Sequence, residues 1–168
     1  MIKKILILLF LFILTMSKAQ AIDYISFSTK LGYLESRNNY KAVNKRGYLG
    51  KYQFGGLALI DLGYKDKNFK WTCKDNICSK NDFLINRKVQ EKALFNWLFI
   101  LKKYLKSKKM YAYVGKRFKG ILITEEGLLA SSHLVGAGAV SKMLRTGKIP
   151  KDGNNVKATK YLKTFSGK

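Results

Sequence analysis

The stretch Ser79–Leu105, SKNDFLINRKVQEKALFNWLFILKKYL, carries the clearest helical pattern in the chain. Ser79 stands as an N-cap, and Asp82 three residues later occupies the matching position of a capping box. Val89, Ala93, Trp97 and Leu101 then fall on one stripe, flanked by Phe83, Leu94, Leu98 and Leu105, which is the spacing of a helix that buries one face. The run predicts the central buried helix of the fold. On its C-terminal side, Ser107–Phe118 reads as a basic, aromatic continuation. Thr124 caps a further helix, with Glu125 and Glu126 in the first turn where the helix dipole favours negative charge. That helix runs to about His133. Ala137–Leu144 and Asn155–Phe165 read as two more.

On the N-terminal side, Asp23–Leu34 has helical spacing through Ile25, Phe27, Leu31 and Leu34. Arg37–Lys51 is polar and glycine-containing, a loop or a small hairpin. Gly56–Leu62 reads as a short helix stopped by Gly63, and residues 64–80 as irregular. No stretch alternates with a period of two over strand length, and the one proline, Pro150, is a scarcity that suits helices. The fold class is therefore mainly α, with at most a small hairpin near residues 40–55.

The extreme N-terminus is a targeting segment. Lys3 and Lys4 precede the apolar run Ile5–Met16, and Ala19-Gln20-Ala21 is a small-x-small cleavage site. The run is short against the ~20 apolar residues of a membrane span, so a retained anchor is the alternative reading. Residues 1–21 are expected to leave as a signal peptide, and residues 22–168 to form one exported domain, periplasmic or secreted. The formal charge of +23 points to anionic surfaces such as a cell wall, although a lysine-rich composition also leaves many charges simply solvated. Export argues against a specific nucleic-acid partner. Cys73 and Cys78 are the only cysteines, and in an exported chain they read as a disulfide closing a small polar loop. His133 is the only histidine, too few ligands for a metal site, and no cofactor is expected.

Glu35 is the chemically suggestive residue. It ends an amphipathic segment, Tyr33-Leu34-Glu35-Ser36-Arg37, and the glycine-spaced aromatic loop Gly47-Tyr48-Leu49-Gly50-Lys51-Tyr52-Gln53-Phe54 follows. Glu35-Ser36 followed by Gly47, Gly50, Tyr52 and Gln53 resembles the Glu-Ser … Gly-x-x-Gly-x-Met/Tyr-Gln pattern of the lysozyme-like superfamily, in its soluble lytic transglycosylase and bacterial peptidoglycan hydrolase branch. Gly127–Gly138, around Ala130-Ser131-Ser132-His133-Leu134, resembles that branch's helix-turn, and Asp152–Gly167 is similar to its terminal segment. The blocks come in the expected order over nearly the whole of residues 22–168. The branch's Ala-Tyr-Asn-Ala-Gly motif is absent, so the tyrosine that supports the glutamate has no assignment there.

The resemblance implies an α-rich fold with a cleft that binds peptidoglycan glycan strands, and the chain is expected to be a monomer. It implies Glu35 as catalytic acid and Gln53 and Tyr52 as cleft residues near the substrate; Ser36 and His133 are further candidate substrate contacts. A lone histidine among Ala, Ser and Leu also reads as hydrogen-bonded within the fold. Glycoside cleavage needs a proton on the leaving oxygen, and a carboxyl group in an apolar pocket keeps one near neutral pH. A hydrolase needs a second carboxylate, for which Asp66 and Asp75 are the candidates. Without one, Glu35 acts as acid and then as base, and the 6-hydroxyl of the muramyl sugar closes a 1,6-anhydro ring. Rival readings are a non-catalytic wall-binding protein and a cationic protein that acts on membranes or nucleic acid.

Overall fold

The computed structural model describes residues 22–166, so the predicted targeting segment 1–21 lies outside the described residues. The order of elements is α1 (Tyr24–Ser36), α2 (Gly56–Asp61), a 3-10 turn (Lys74–Asn76), α3 (Lys80–Ile85), α4 (Arg87–Ser107), a 3-10 turn (Met110–Tyr113), β1 (Arg117–Phe118), β2 (Ile121–Leu122), α5 (Glu125–Val135), α6 (Ala137–Thr146) and α7 (Ala158–Thr164). The fold is mainly α, as the sequence pattern predicts.

Local chemistry sets most of the boundaries. Asp23 caps α1 by accepting from the amides of Ile25 and Ser26, and α1 buries Phe27, Ser28, Leu31 and Gly32 on one face. Ser79 Oγ accepts from the amide of Asp82, whose carboxylate accepts from Cys78 N. The helix so begun stops early, however. Asn86 leaves helical dihedrals (φ −96°, ψ 90°) and its side chain caps a new helix through Val89 N, so the expected single helix is two. An Asn side chain offers the backbone this alternative bond, which is why it favours caps over helix interiors.

Three further expectations are corrected. Ser107–Phe118 does not continue as a helix: Lys109 takes a left-handed conformation (φ 56°), and the chain enters the 3-10 turn and the β1–β2 hairpin. Lys119 (φ 48°) and Gly120 (φ 81°) form the two-residue connection with both φ positive, the backbone that matches the twist of paired strands. The hairpin is thus at residues 117–122, and residues 40–55 hold isolated bridges only, Val43 to Leu49 and Leu49 to Phe54. The most enclosed helix is α5, which buries Gly127 through Ser132 without interruption, whereas α4 buries one face and exposes Phe95 and Phe99.

Helix α5 organises the C-terminal half, packing on α4, α6 and α7. Its approach to α7 depends on Gly127, where an added Cβ would stand 3.0 Å from Leu162 Cδ1 and 3.2 Å from Leu162 O. Thr124 Oγ1 donates to Phe165 O and Ser131 Oγ to Ala158 O, clamping both ends of α7. Phe165 then meets Phe27 of α1, ring centroids 5.0 Å apart. Each of these fully buried rings contributes roughly 2–3 kcal/mol by leaving water. The consequence is positional: α7 lies along α1, with Phe165 at Phe27 near the start of α1 and Tyr161 at Glu35 near its end.

Cys73 and Cys78 are joined as a disulfide in the loop between α2 and α3. Among the described residues no helix is long and apolar enough to cross a membrane.

Candidate active site

Helix α1 ends one residue after Glu35. Arg37 (φ 56°) and Asn38 (φ 62°) turn left-handed, and their amides donate back to Tyr33 O and Gly32 O. This termination holds the Glu35 side chain at the lip of a small pocket shared with Asn44, Arg46, Tyr48, Gln53, His133, Leu134, Asp152, Gly153 and Asn154. Its volume is about 40 Å³, room for a few water molecules. Arg46 closes part of it by donating to Gly153 O, so the 44–48 loop and the 152–154 turn meet above the carboxyl. A shallower depression on the other flank of Glu35 is lined by Tyr33, Leu34, Ser36, Arg37 and Lys160.

The Glu35 side chain is 12 % exposed. Burial pushes its pKa up to about 7; the Tyr161 hydroxyl, donating to Oε1 at 2.9 Å, draws it partly back, and the charge of Asp152 pushes it up again. The carboxyl therefore holds its proton on a large fraction of molecules at neutral pH, the state a general acid requires. Tyr161 is in turn kept protonated by burial and by its acidic neighbour.

His133 stands with Nε2 at 3.8 Å from Glu35 Oε1, a distance that would make an ion pair if the ring were charged. It is not: burial lowers its pKa to about 4, and its closest partner is a backbone carbonyl, Tyr52 O at 2.8 Å. A carbonyl only accepts, so Nε2 carries the ring's proton and Nδ1 is left enclosed without a partner. The ring braces the glycine-spaced loop against α5 and supplies Glu35 with a neutral wall.

The loop itself is built around Gln90, fully buried on α4. Gln90 Nε2 donates to Phe83 O and Tyr40 O, and its Oε1 accepts from Lys51 N. Gly50 (φ 74°) passes so close that an added Cβ would fall 2.1 Å from that Oε1. Gln53, itself left-handed (φ 49°), donates to Gly50 O and presents its remaining surface to the pocket.

Of the residues expected at the site, Glu35, Gln53 and His133 come together around one pocket. Ser36 touches the outer depression, while its hydroxyl ties the helix end to the loop by donating to Lys51 O at 2.8 Å. Tyr52 is in the core: its ring is wholly buried and its hydroxyl donates to the carboxylate of Glu91. Only its carbonyl reaches the site, through His133. Asp66 and Asp75 do not line the pocket. Asp66 caps its own turn through Asn68 N and Lys70 N, and Asp75 pairs with Lys92 and Tyr64, which hold its carboxyl below the usual range. The second acid at the pocket is Asp152. Its Oδ1 accepts from the amides of Asn154 and Val156, while Oδ2 has only a 3.4 Å contact with Asn154 Nδ2.

Sequence reading alone misses Asp152, Tyr161 and Arg46 as site residues. A signal existed for the first two, since both lie in the C-terminal block that carries the resemblance. Arg46 had none. It also misses Glu91, which gathers Lys51 Nζ, Tyr40 and Tyr52; burial would raise its pKa, but these donors hold it below the usual carboxylate range.

No protein-family model, curated protein or solved structure matches this chain. The resemblance to lysozyme-like proteins rests on the quoted sequence motifs alone.

Proposed function

We propose that the protein cleaves the glycosidic bond between the muramyl and glucosaminyl sugars of peptidoglycan, with Glu35 as the general acid and then the base, yielding 1,6-anhydro ends. The observation that carries this reading is a carboxyl group raised to about 7 by burial at the lip of a pocket. Glu35 gives its proton to the bridging oxygen as the bond to C1 breaks. The resulting carboxylate takes the proton of the muramyl 6-hydroxyl, whose oxygen closes on C1. No water is consumed. The pocket has room for the reacting oxygen but not for a sugar ring, so the ring lies over its mouth unless the Arg46 strap opens. The disulfide supports export to an oxidising compartment, where peptidoglycan is met.

A second reading has its own observation. Asp152 faces the same pocket with Oδ2 only weakly engaged, the disposition of a base that activates water in an inverting hydrolase. Against it, Oδ1 already serves two backbone amides.

Mass spectrometry of fragments released from purified peptidoglycan separates the two. Anhydro ends that persist in Asp152→Asn and vanish in Glu35→Gln support the first reading. Reducing ends that require both carboxylates support the second. If wild-type protein releases nothing yet sediments with the wall, it is a binding protein and both fail.

A further inference from the structure

Helix α4 shows solvent an ordered stripe: Lys88, Lys92, Phe95, Phe99, Lys103 and Lys106, spaced by four, three, four, four and three residues and all exposed. Phe95 is 63 % and Phe99 56 % exposed, while the opposite face of the same helix buries Ala93, Leu94, Leu98, Leu101 and Leu105. Two phenylalanines one turn apart, with two lysines beyond each end, stay more than half exposed, although Phe95 meets the Tyr24 ring edge-on. Most cations of the helix lack a nearby acid. Its one carboxylate, Glu91, is engaged with Lys51 and tyrosines on another side, and among the described residues Lys92 is the one lysine of the stripe with an acidic partner, Asp75.

We infer that this face of α4 docks on an anionic phospholipid surface, with Phe95 and Phe99 entering the headgroup–acyl boundary and the lysines meeting lipid phosphates. A helix that lies in that boundary needs aromatic or aliphatic side chains on a face rimmed by cations. Lysines suit the rim because their alkyl stems follow the apolar surface while the amines stay at headgroup level. Each lysine near an anionic bilayer raises affinity roughly fivefold.

Other occupants fit less well. Lys103 Nζ sits over the Phe99 ring, 4.5 Å from its centroid, and so occupies a ring face on which a nucleobase or sugar would stack. A second copy of the chain would bring lysines against lysines whether the two helices ran parallel or antiparallel. The face also leaves the Glu35 pocket clear. Tyr24, which packs on Phe95, opens α1, whereas Glu35 lies near its other end, roughly 16 Å along the axis. The inference is independent of what Glu35 catalyses.

The test is sedimentation of the chain from Ile22 onward, which contains the whole described core, with phosphatidylglycerol–phosphatidylcholine vesicles and with pure phosphatidylcholine. Binding to the mixed vesicles alone is expected. Phe95→Ser/Phe99→Ser, which leaves net charge unchanged, should weaken it by about tenfold or more, and Lys88→Gln/Lys106→Gln by a similar factor. Both variants should keep the wild-type circular dichroism and melting temperature, and binding to a DNA duplex should not respond to the Phe changes. The inference is overturned if vesicle binding survives loss of both rings. It is overturned equally if the rings matter as much for DNA, or if their removal converts a dimer to a monomer without affecting vesicles.

Discussion

Tyr161 and Glu35, 126 residues apart in the chain, are joined by a 2.9 Å hydrogen bond from the phenol to Oε1. The bond spans the two ends of the fold. Glu35 belongs to α1, Tyr161 to α7, and what brings them together is the clamp of α7 between α5 and Phe27. It also tunes the acid, because a donor to a carboxylate favours the charged form and restrains the rise that burial imposes.

Tyr161→Phe removes that donor and should raise the Glu35 pKa further. If Glu35 is the general acid proposed above, activity falls as pH climbs through its pKa, so the alkaline limb of the pH–rate profile should move upward, with little change in the glycan binding constant. A limb that stays in place or moves down would show that Tyr161 does not act on Glu35.

Stability should carry the same signature. Between the ordinary carboxylate value of 4.5 and about 7, native Glu35 holds a proton that the unfolded chain has lost, so stability falls as pH rises through that window. Glu35→Gln should therefore be more stable than wild type at pH 8, by on the order of 3 kcal/mol, and equal to it at pH 4. His133 works at the acid end. Its pKa is lowered from 6.5 to about 4, so native stability falls as pH drops through that range, and this slope should remain in Glu35→Gln. Urea melts of both proteins across pH read both effects.

Lys51 is 10 % exposed and its ammonium rests 2.9 Å from Glu91 Oε1. Glu91→Gln leaves that buried charge without its counter-ion and should cost about 3 kcal/mol in urea denaturation. Adding Lys51→Met should recover much of the loss, because the double variant removes the orphaned charge. No recovery would mean that the tyrosine bonds to Glu91, not the ion pair, hold this part of the structure.

Gly50→Ala should be severe for so small a change. The left-handed φ of 74° strains any L side chain, and the new methyl would collide with Gln90, whose amide bonds three segments together. A loss of roughly 2–4 kcal/mol is expected, with Gly47→Ala milder, since an added Cβ there meets nothing within 4 Å.

The Cys73–Cys78 bridge closes a loop of sequence separation 5, so the chain-entropy gain is about 2 kcal/mol. Cys73→Ser/Cys78→Ser should lower stability by that amount and leave the pH–rate profile unchanged, because neither residue lines the Glu35 pocket.

Local signals in the sequence were sufficient for the helical class, for the caps at Ser79 and Thr124, and for the disulfide. Each of these depends on neighbours within a few residues: a cap bonds an amide two or three positions on, and a buried stripe repeats every turn. Where two local preferences competed, periodicity misled. The apolar stripe from Phe83 to Leu105 ran through Asn86, whose side chain prefers to start a helix, and Lys119-Gly120 turned an expected helix into a hairpin.

The contents of the pocket were a different matter. Tyr161, Asp152 and Arg46 reach Glu35 only because helices α5 and α7 approach at Gly127 and because a loop and a turn meet across the carboxyl. Those are distances between segments far apart in the chain, set by how side chains fill a shared interior, and no pattern along the chain encodes them. The amino-acid order by itself determined which carboxyl stands at the end of α1. Tertiary packing decided that this carboxyl is dry enough to keep its proton, which acid faces it, and which tyrosine restrains it, because desolvation belongs to the assembled surroundings and not to the residue.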